Sequence, residues 1–430
     1  MFLSGRYVAA LLVGLIPVVV LPSLATVWVW TAMVTAAAIV DWWLAPKPSS
    51  LQLQRDPLPP ARLGSETATT ITVRNTGKRA FRGVLRDAWQ PTAGATGNRH
   101  RLDLASGQGK RVTTALLPRR RGDLRSPGVA VRSLGPMRLA GRQQLLAIPG
   151  SLRSLPAFGS RKHLPSRLAR LRELDGRAAV RTRGQGTEFD SLREYVRGDD
   201  IRSIDWRASA RTRQTVVRTW QPERDRRVVL LLDTSRTSAG RVDDVPRLDS
   251  AMDAALLLGS LAARAGDRVD FIAGDVAVRS RLRLRTSNQV STRLSEAMAD
   301  LEPVIAEADW RSLAAGVTSM GRQRALLVLL TPLEPAAVEE SLLPVLPTLL
   351  AHYRVVLASV KDPALTRLAA EREDVGEVYT AAAAEQAMRR REQTAQMLRA
   401  LGVSVVDADA ETLPPKLADH YLYLKAEGLL

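Results

Sequence analysis

Three oxygen-bearing side chains at alternate positions follow an apolar run in the second half of the chain. Asp233, Ser235 and Thr237 come directly after residues 228–232, which read VVLLL as a buried β-strand does. One carboxylate and two hydroxyls on such a loop can converge, and hard oxygen ligands suit Mg²⁺. The same groups can instead hydrogen-bond backbone N–H groups and close a turn. The sequence leaves a magnesium site and a simple turn open as alternatives.

A densely charged segment precedes this strand. Residues 186–211 read GTEFDSLREYVRGDDIRSIDWRASAR and interleave acidic with basic side chains. Metal ligation or acid–base chemistry by the aspartates is one hypothesis, but the alternation favours ion pairs that neutralise one another. We expect Trp206 to be an apolar anchor beneath these pairs. The predicted interface consists of Arg193, Glu194, Tyr195, Gly198, Asp199, Asp200, Arg202, Asp205, Trp206 and Arg211.

Hydrolytic chemistry has little support in the sequence. Ser235 lacks the Gly-x-Ser-x-Gly context of a serine nucleophile, and none of the four histidines shows a link to it. The chain has no cysteine, which excludes disulfides, thiolate metal sites and cysteine nucleophiles. We therefore expect no enzymatic activity.

The elements that position Asp233 belong to an α/β domain. From residue 227 to residue 430, apolar strand-like runs alternate with helical patterns, and residues 325–331 and 353–360 are almost purely apolar. Such runs are typical of strands covered on both faces, so we predict a mainly parallel, doubly wound sheet. Ligands of these sheets bind beyond the carboxyl ends of the strands, which is where Asp233 lies.

Two further regions precede this domain and its linker, which spans residues 158–226. Residues 48–157 contain short alternating stretches, such as 68–75 and 128–134, that predict a small β-sandwich. Residues 1–47 contain an uncharged run from residue 7 to residue 40, too long for one straight membrane-spanning helix. Pro17 and Pro22 offer a break, so we predict a transmembrane helical hairpin, with a single pass as the alternative.

Basic residues dominate the charge of the chain. Lysine and arginine number 62 against 44 acidic residues, for a net charge of +18, and basic residues flank the apolar run. The positive-inside rule then predicts a cell-membrane protein whose bulk is cytoplasmic. Anionic lipid headgroups are a candidate partner near the apolar run and at Arg119, Arg120 and Arg121, for which an exposed turn is an equal alternative. A binding site for nucleic acid is not expected, because aromatic residues are only 4% of the chain.

The phrase LREYVRGDDIRSIDWRASAR followed by VVLLLDTSRTS resembles the domain-of-unknown-function-58 family. The resemblance implies a membrane-anchored protein with a von Willebrand factor type A-like domain. It maps Asp233, Ser235 and Thr237 onto a metal-ion-dependent adhesion site, which also needs a threonine from a second loop and an aspartate after the fourth strand. Pro332 stands where that aspartate is expected, so Glu334 is the candidate replacement, and Asp309 and Ser312 lie near the second-loop position.

Three functions follow as hypotheses. The resemblance implies an adaptor that works with a MoxR-type AAA+ ATPase in assembly or chaperone activity, through a degenerate adhesion loop that binds Mg²⁺ weakly or with a ligand from the partner. The alternatives are a metal-assisted hydrolase, for which no convincing general base is found, and a structural envelope protein.

Overall fold

The computed structural model describes residues 1–181, 188–221, 226–284, 289–321 and 323–430. The chain forms two compact units, Met1–Leu155 and Pro156–Leu430. Strands and helices occur in both, and the strands are arranged in several separate sheets. The prediction of a mixed α/β chain is therefore confirmed.

The first unit begins with a helical hairpin. One leg consists of α1 (Gly5–Val13) and α2 (Leu15–Val20), and the other is α3 (Leu24–Leu44). Pro17 explains the break between α1 and α2, because proline lacks the N–H that would bond Val13 and its ring clashes with that carbonyl. Ser23 starts α3 by accepting a hydrogen bond of 3.2 Å from the N–H of Thr26.

The two legs of the hairpin contact each other through polar groups. Tyr7 Oη lies 3.1 Å from Thr35 Oγ1, and Trp30 Nε1 donates to the carbonyl of Ala10 at 3.1 Å. Gly14 permits this approach, since a Cβ there would stand 2.2 Å from Cδ1 of Trp30. In the described part of the chain, the helix beginning at Leu24 is the one long and apolar enough to cross a membrane, and Gly5–Val20 is a shorter apolar stretch.

The rest of the first unit is built from short strands. They are β1 (Phe2–Leu3), β2 (Leu51–Arg55), β3 (Ala61–Arg62), β4 (Thr67–Asn75), β5 (Phe81–Asp87), β6 (Arg99–Leu104), β7 (Gly109–Leu116), β8 (Gly122–Ser126), β9 (Val129–Leu134), β10 (Ala140–Leu146) and β11 (Gly150–Leu155). Their sheets have the orders β1-β10-β9-β5-β6, β2-β4-β7 and β3-β11-β8. Alternate side chains point inward, and Ile71 of β4, Leu85 of β5 and Val131 of β9 share one core.

Asp41, near the end of α3, attaches the hairpin to β10. Its carboxylate is fully buried, and its two oxygens accept hydrogen bonds of 2.7, 2.7 and 2.9 Å from the N–H groups of Met137, Leu139 and Ala140. Strand β1 pairs with β10 as well. Both ends of the hairpin are therefore fixed to the same strand.

The second unit contains the α/β domain. Its elements are α4 (Leu164–Arg181), β12 (Glu188–Glu194), α5 (Trp206–Thr212), β13 (Val216–Gln221), β14 (Arg227–Asp233), β15 (Arg241–Val242), β16 (Val245–Pro246), α6 (Arg247–Arg264), β17 (Arg268–Gly274), β18 (Val278–Leu284), α7 (Val290–Ala299), α8 (Trp310–Ser319), β19 (Ala325–Leu330), α9 (Pro335–Ala337), α10 (Leu346–Leu350), β20 (Tyr353–Val360), α11 (Pro363–Ala370), α12 (Val375–Ala400), β21 (Ser404–Ala408) and α13 (Leu413–Ala426).

Six of these strands form the central sheet of the second unit. Their order is β18-β17-β14-β19-β20-β21, and all pairs are parallel except the one between β17 and β18. Every residue of β14 is buried, because helices cover both faces of the sheet. Leu230 packs in a core with α6 and α13, whereas its neighbour Leu231 packs in a second core with α8 and α12.

Candidate metal-binding site at the carboxyl ends of two central strands

The candidate site lies where the chain changes direction across the central sheet. After β14 the chain adds β17 and β18 on one side, and then β19, β20 and β21 on the other. In doubly wound sheets such a reversal opens a crevice at the carboxyl ends of the strands, and ligands bind there. Asp233 ends β14, and Thr331 directly follows β19.

Four oxygen-bearing side chains meet at this crevice. Thr331 Oγ1 donates to Asp233 Oδ2 at 2.7 Å, and Thr237 Oγ1 donates to the same oxygen at 3.3 Å. Ser235 Oγ lies 3.0 Å from Thr237 Oγ1, and the N–H of Ser235 donates to Asp233 Oδ1 at 2.8 Å. The structure therefore brings together all three residues of the Asp-x-Ser-x-Thr loop. It adds Thr331, which the sequence did not indicate as part of the site.

The spacing of these oxygens is that of ordinary hydrogen bonds and is also compatible with the coordination sphere of Mg²⁺. Neighbouring ligands of an octahedral ion, at about 2.1 Å from the metal, lie about 3.0 Å from each other. The corresponding oxygen–oxygen distances here are 2.7, 3.0 and 3.3 Å. A cavity of about 10 Å³ lies against these side chains, roughly the room that one water-sized particle needs.

The donor set is poor in charge. No group of three or more His, Cys, Asp or Glu side chains that could hold a metal ion occurs in the part of the chain that the structure describes. An ion at Asp233 would depend on one carboxylate and three hydroxyl oxygens, with water or a partner filling the remaining positions. The residues therefore fit a weak site for a hard divalent cation and no tighter one.

Burial raises the pKa of the Asp233 carboxyl, whose side chain is almost entirely removed from solvent. The N–H of Ser235 and the hydroxyls of Thr331, Ser235 and Thr237 stabilise the carboxylate and offset part of that effect. A bound cation would offset the rest, since an opposite charge within coordination distance favours the ionised form.

Two residues proposed as further ligands lie elsewhere. Glu334 is absent from the lining of the cavity, and its Oε1 accepts a hydrogen bond of 3.0 Å from Arg247 Nη1. Asp309 is the N-cap of α8, and its Oδ1 accepts hydrogen bonds from the N–H groups of Arg311 and Ser312. Glu334 thus belongs to an ion pair with α6 and Asp309 to a helix cap, and the sequence distances alone did not reveal either role.

The rim of the cavity carries a second carboxylate. Glu307 and Pro332 line the cavity beside Asp233. Glu307 forms an ion pair with Arg236, and the two side chains are 57% and 58% exposed, so the pair can open to admit a ligand. Glu307 was not among the residues indicated by the sequence, because the loop before α8 has no recognisable ligand spacing.

Arg391 of α12 fixes the loop that carries Pro332. Its guanidinium donates at 2.9 and 2.7 Å to the two carboxylate oxygens of Asp407, at 2.7 Å to Ser359 Oγ and at 3.0 Å to the carbonyl of Leu333. A planar guanidinium with five N–H donors suits such a fork of acceptors. This network holds the residue next to Pro332 in place, so Arg391 positions the rim of the site.

A protein-family model matches the region around this site. Residues 191–400 match the model of the family described as "Protein of unknown function DUF58". The matched part is just under half of the chain and extends from β12 to the end of α12. It contains the charged segment from residue 191 onward and the Asp233 site, and it supports the family resemblance drawn from the sequence.

No curated protein matches the sequence. Among solved structures, the PapD-like domain 7 of human CEP192 is similar at 16% identity and a TM-score of 0.19, over 26% of this chain and 91% of that chain. A β-glucosidase from Listeria innocua is similar at 15% identity and a TM-score of 0.16, over 24% of this chain and 16% of that chain. The CARDB domain of the PF1109 protein from Pyrococcus furiosus, in complex with di-metal ions, has 10% identity and a TM-score of 0.18, over 26% of this chain and 91% of that chain. These scores are too low to support an argument about function.

Within the DUF58 match, the charged segment forms a small element of its own. Strands β12 and β13 pair antiparallel, and α5 lies between them in the sequence. Asp199 pairs with Arg193 at 2.6 Å, and Asp205 pairs with Arg218 at 2.8 Å. These contacts, first of all the side-chain hydrogen bond from Arg193, lower the pKa of Asp199. The prediction of ion pairs in this segment is confirmed for these two aspartates, although Arg218 was not an expected partner.

The predicted anchor role of Trp206 is wrong. Trp206 begins α5 and is 68% exposed, so it does not lie beneath the ion pairs. The interior of the element is instead formed by Val216 and Val217 of β13, which are buried. Val196 and Ile201 are also exposed, at 60% and 66%. The segment therefore presents apolar side chains among its arginines to solvent.

Proposed function

We propose that the chain is a membrane-tethered adaptor that binds a protein partner at the Asp233 site. The observation that carries the proposal is the convergence of one carboxylate and three hydroxyls at the carboxyl ends of β14 and β19. With a single carboxylate in this set, a Mg²⁺ ion bound there keeps a net positive charge. A glutamate or aspartate of a partner would complete the coordination and form the contact.

The proposed fold of the partner-binding domain is von Willebrand factor type A-like. Numbered within the domain, the sheet has the order 3-2-1-4-5-6, with the third strand antiparallel to the second, and the adhesion loop follows the first strand. In the first unit, the five-stranded sheet and the three-stranded sheet β2-β4-β7 contribute to one core, which supports the proposal of a β-sandwich. The family resemblance suggests a MoxR-type AAA+ ATPase as the partner, in an assembly or chaperone system.

The exposed face of the charged segment is a second proposed contact for the same partner. Tryptophan and arginine are enriched in the residues that contribute most to protein–protein affinity. Trp206, Ile201 and Val196 offer such a face in a part of the chain that belongs to the DUF58 match. Truncation of Trp206 to alanine should weaken partner binding and leave folding unchanged, because the side chain is exposed.

The proposed location is the cell membrane, with the bulk of the chain in the cytoplasm. A helix long and apolar enough to span the membrane, whose flanks are basic, supports this topology. Reporter domains fused after Leu430 and inserted in the turn between α2 and α3 should report opposite sides of the membrane. Cytoplasmic signals from both positions would contradict a spanning α3.

The decisive experiment measures the affinity of the full-length protein for the ATPase at several magnesium concentrations. An AAA+ ATPase also needs magnesium for its nucleotide, so the native chain and the Asp233→Ala variant are compared at each concentration and the requirement of the ATPase cancels. Asp243→Asn is the matched control, because Asp243 is an exposed acid outside the cavity. The native chain and the control should bind more tightly as magnesium rises, relative to Asp233→Ala. Equal affinities for all three proteins would contradict the proposal.

A further inference from the structure

Basic side chains gather where the helical hairpin meets β10. Arg6 follows the first residue of α1, Lys47 follows α3, Arg138 lies in the turn before β10, and Arg142 lies on β10. These four residues are called the basic collar below. The collar has no acidic counterpart nearby in the sequence, because Asp41 is the one acidic residue in residues 1–50 and 135–146.

The position of the collar is fixed by hydrogen bonds of buried groups. Asp41 accepts three backbone N–H bonds from the turn that carries Arg138, so its negative charge is enclosed and its oxygens are occupied. The hydroxyl of Ser4, at the start of α1, donates to the carbonyl of Arg138. Arg138 has a φ of 60°, in the left-handed region, as part of this turn. The turn and both ends of the hairpin therefore form one fixed structure.

Aromatic and apolar side chains surround the collar. The guanidinium of Arg142 lies 4.6 Å from the ring centroid of Trp42, and its Nε donates to the carbonyl of Ala45 at 3.2 Å. Trp43 is 70% exposed and Met137 is 46% exposed. Tryptophan beside arginine is the composition found at the boundary between hydrocarbon and lipid headgroups. Helix α3 would span about 31 Å at 1.5 Å per residue, which matches the hydrocarbon core and puts the collar at its edge.

We propose that the basic collar binds the phosphate groups of anionic phospholipids and so fixes the height and tilt of the first unit at the membrane surface. Four positive charges without an exposed acid complement a negative headgroup layer. The guanidinium of Arg142 is already held by Trp42 and Ala45, which reduces the entropy lost when its remaining N–H donors bind a phosphate. The inference rests on the proposal that α3 spans the membrane, and the experiment separates the two.

The test uses the full-length protein reconstituted into lipid bilayers. Brominated acyl chains quench tryptophan fluorescence at short range, and Trp28, Trp30, Trp42 and Trp43 all lie in α3. Quenching by brominated phosphatidylcholine reports insertion of α3. Quenching in mixtures with brominated phosphatidylglycerol reports preference for the anionic lipid. A basic side chain close to an anionic surface contributes about a fivefold preference.

The test variant replaces the three exposed members of the collar, as Arg6→Gln, Lys47→Gln and Arg138→Gln. The control variant removes the same charge from Arg86, Arg99 and Arg125, which are exposed as well. Arg86 and Arg99 face each other in the sheet, and Arg86 is paired with Ala130, four residues from the end of β9 that adjoins the collar. At about 3.4 Å per residue, Arg86 and its partner Arg99 lie about 14 Å along the sheet from that end of β9. Arg125 lies on β8, in a different sheet.

We expect the native chain and the control to prefer phosphatidylglycerol severalfold, and the collar variant to lose that preference while phosphatidylcholine still quenches it. Equal quenching of the native chain by both lipids would overturn the lipid proposal and leave the membrane span in place. An equal loss in the control would also overturn it, since net charge alone would then explain the preference. No quenching by brominated phosphatidylcholine in the native chain would overturn the membrane span and the collar proposal together.

Discussion

Replacing Asp233 with asparagine tests whether the buried carboxylate is a ligand for a cation. The amide keeps the shape of the side chain and one acceptor oxygen for the N–H of Ser235, and it removes the negative charge. Thr237 and Thr331 can rotate their hydroxyl hydrogens to accept from the new NH₂ group. The variant therefore changes the charge of the site with little change in packing.

The effect of pH follows from the raised pKa of Asp233, for which burial is the first cause. The folded pKa lies above the unfolded value of about 3.9, so the unfolded chain loses this proton at lower pH than the folded chain does. The contribution of Asp233 to stability is then fully present below the unfolded pKa and is lost as pH rises through the folded pKa. Without magnesium, Asp233→Asn should gain stability relative to the native chain across that window and keep the difference above it.

Magnesium should reverse this difference in the native chain. A site with one carboxylate and three hydroxyls is expected to have a Kd on the order of 1 mM. At 20 mM Mg²⁺, a ligand of that affinity stabilises the folded state by about 1.8 kcal/mol. For a unit of the size of Pro156–Leu430, that free energy corresponds to a rise in Tm of about 3 °C.

The assay is thermal unfolding of the full-length protein in detergent, with chelator and with increasing Mg²⁺, at several pH values. Asp243→Asn is again the control, because Asp243 is exposed and lies outside the cavity. The native chain and the control should both show the rise in Tm, and Asp233→Asn should show none. A rise of the same size in Asp233→Asn, or no rise in the native chain up to 20 mM, would refute the argument for a cation at this site.

Three further predictions concern the two units separately. Lys425→Met should cost about 3–5 kcal/mol in the free energy of unfolding at neutral pH, because it leaves the buried carboxylate of Asp267 without its cation. Since burial already raises the pKa of Asp267, the cost should shrink as the pH of the denaturant titration is lowered through that pKa, and an unchanged cost would contradict this cause. Gly14→Ala should separate the legs of the hairpin, because a Cβ at position 14 would overlap Trp30. The chain has no cysteine, so a disulfide can be engineered between the legs, and a lower yield of that disulfide would show the separation. Asp205→Ala should speed amide hydrogen exchange in α5, because Asp205 is the N-cap of that helix. Hydrogen bonds to its carboxylate lower the pKa of Asp205 in the folded chain, so the difference in exchange rate between the native chain and the variant should narrow below the ordinary aspartate pKa. Unchanged exchange in α5 would show that the cap contributes nothing.

The central strands of this sheet could be predicted from the sequence because helices cover both of their faces. Residues 228–232, 325–331 and 353–360 are almost purely apolar, and the structure buries nearly all of them between two helical layers. In the first unit the alternating pattern of β4 and β9 was equally informative, since one side of each strand faces the core. A continuous apolar run indicates a strand buried on both faces, and alternating apolar and polar residues indicate a strand buried on one face.

Single polar residues with a tertiary partner could not be predicted in this way. Asp41 looks like the polar end of an apolar helix, yet it is buried against a turn almost one hundred residues later in the chain. Trp206 was placed beneath the ion pairs because tryptophan is usually at least half buried, and its segment has too little surrounding structure to cover it. In both cases the environment depends on which distant segment packs nearby, and local spacing carries no information about that.

The candidate site combines both situations, and its charge explains the proposed dependence on a partner. The first three ligands share one loop and were predictable from their spacing, whereas Thr331 comes from a strand that reaches Asp233 only through the parallel pairing of β14 with β19. Because Thr331 supplies a hydroxyl, Pro332 supplies no ligand and Arg236 neutralises Glu307 at the rim, the ligand set carries a single negative charge for a doubly charged ion. A second carboxylate from this chain would make the bound ion neutral and remove its attraction for an acidic partner. The presence of Pro332 in place of an aspartate therefore weakens metal binding, and it leaves on the bound ion the positive charge on which a partner's carboxylate would act.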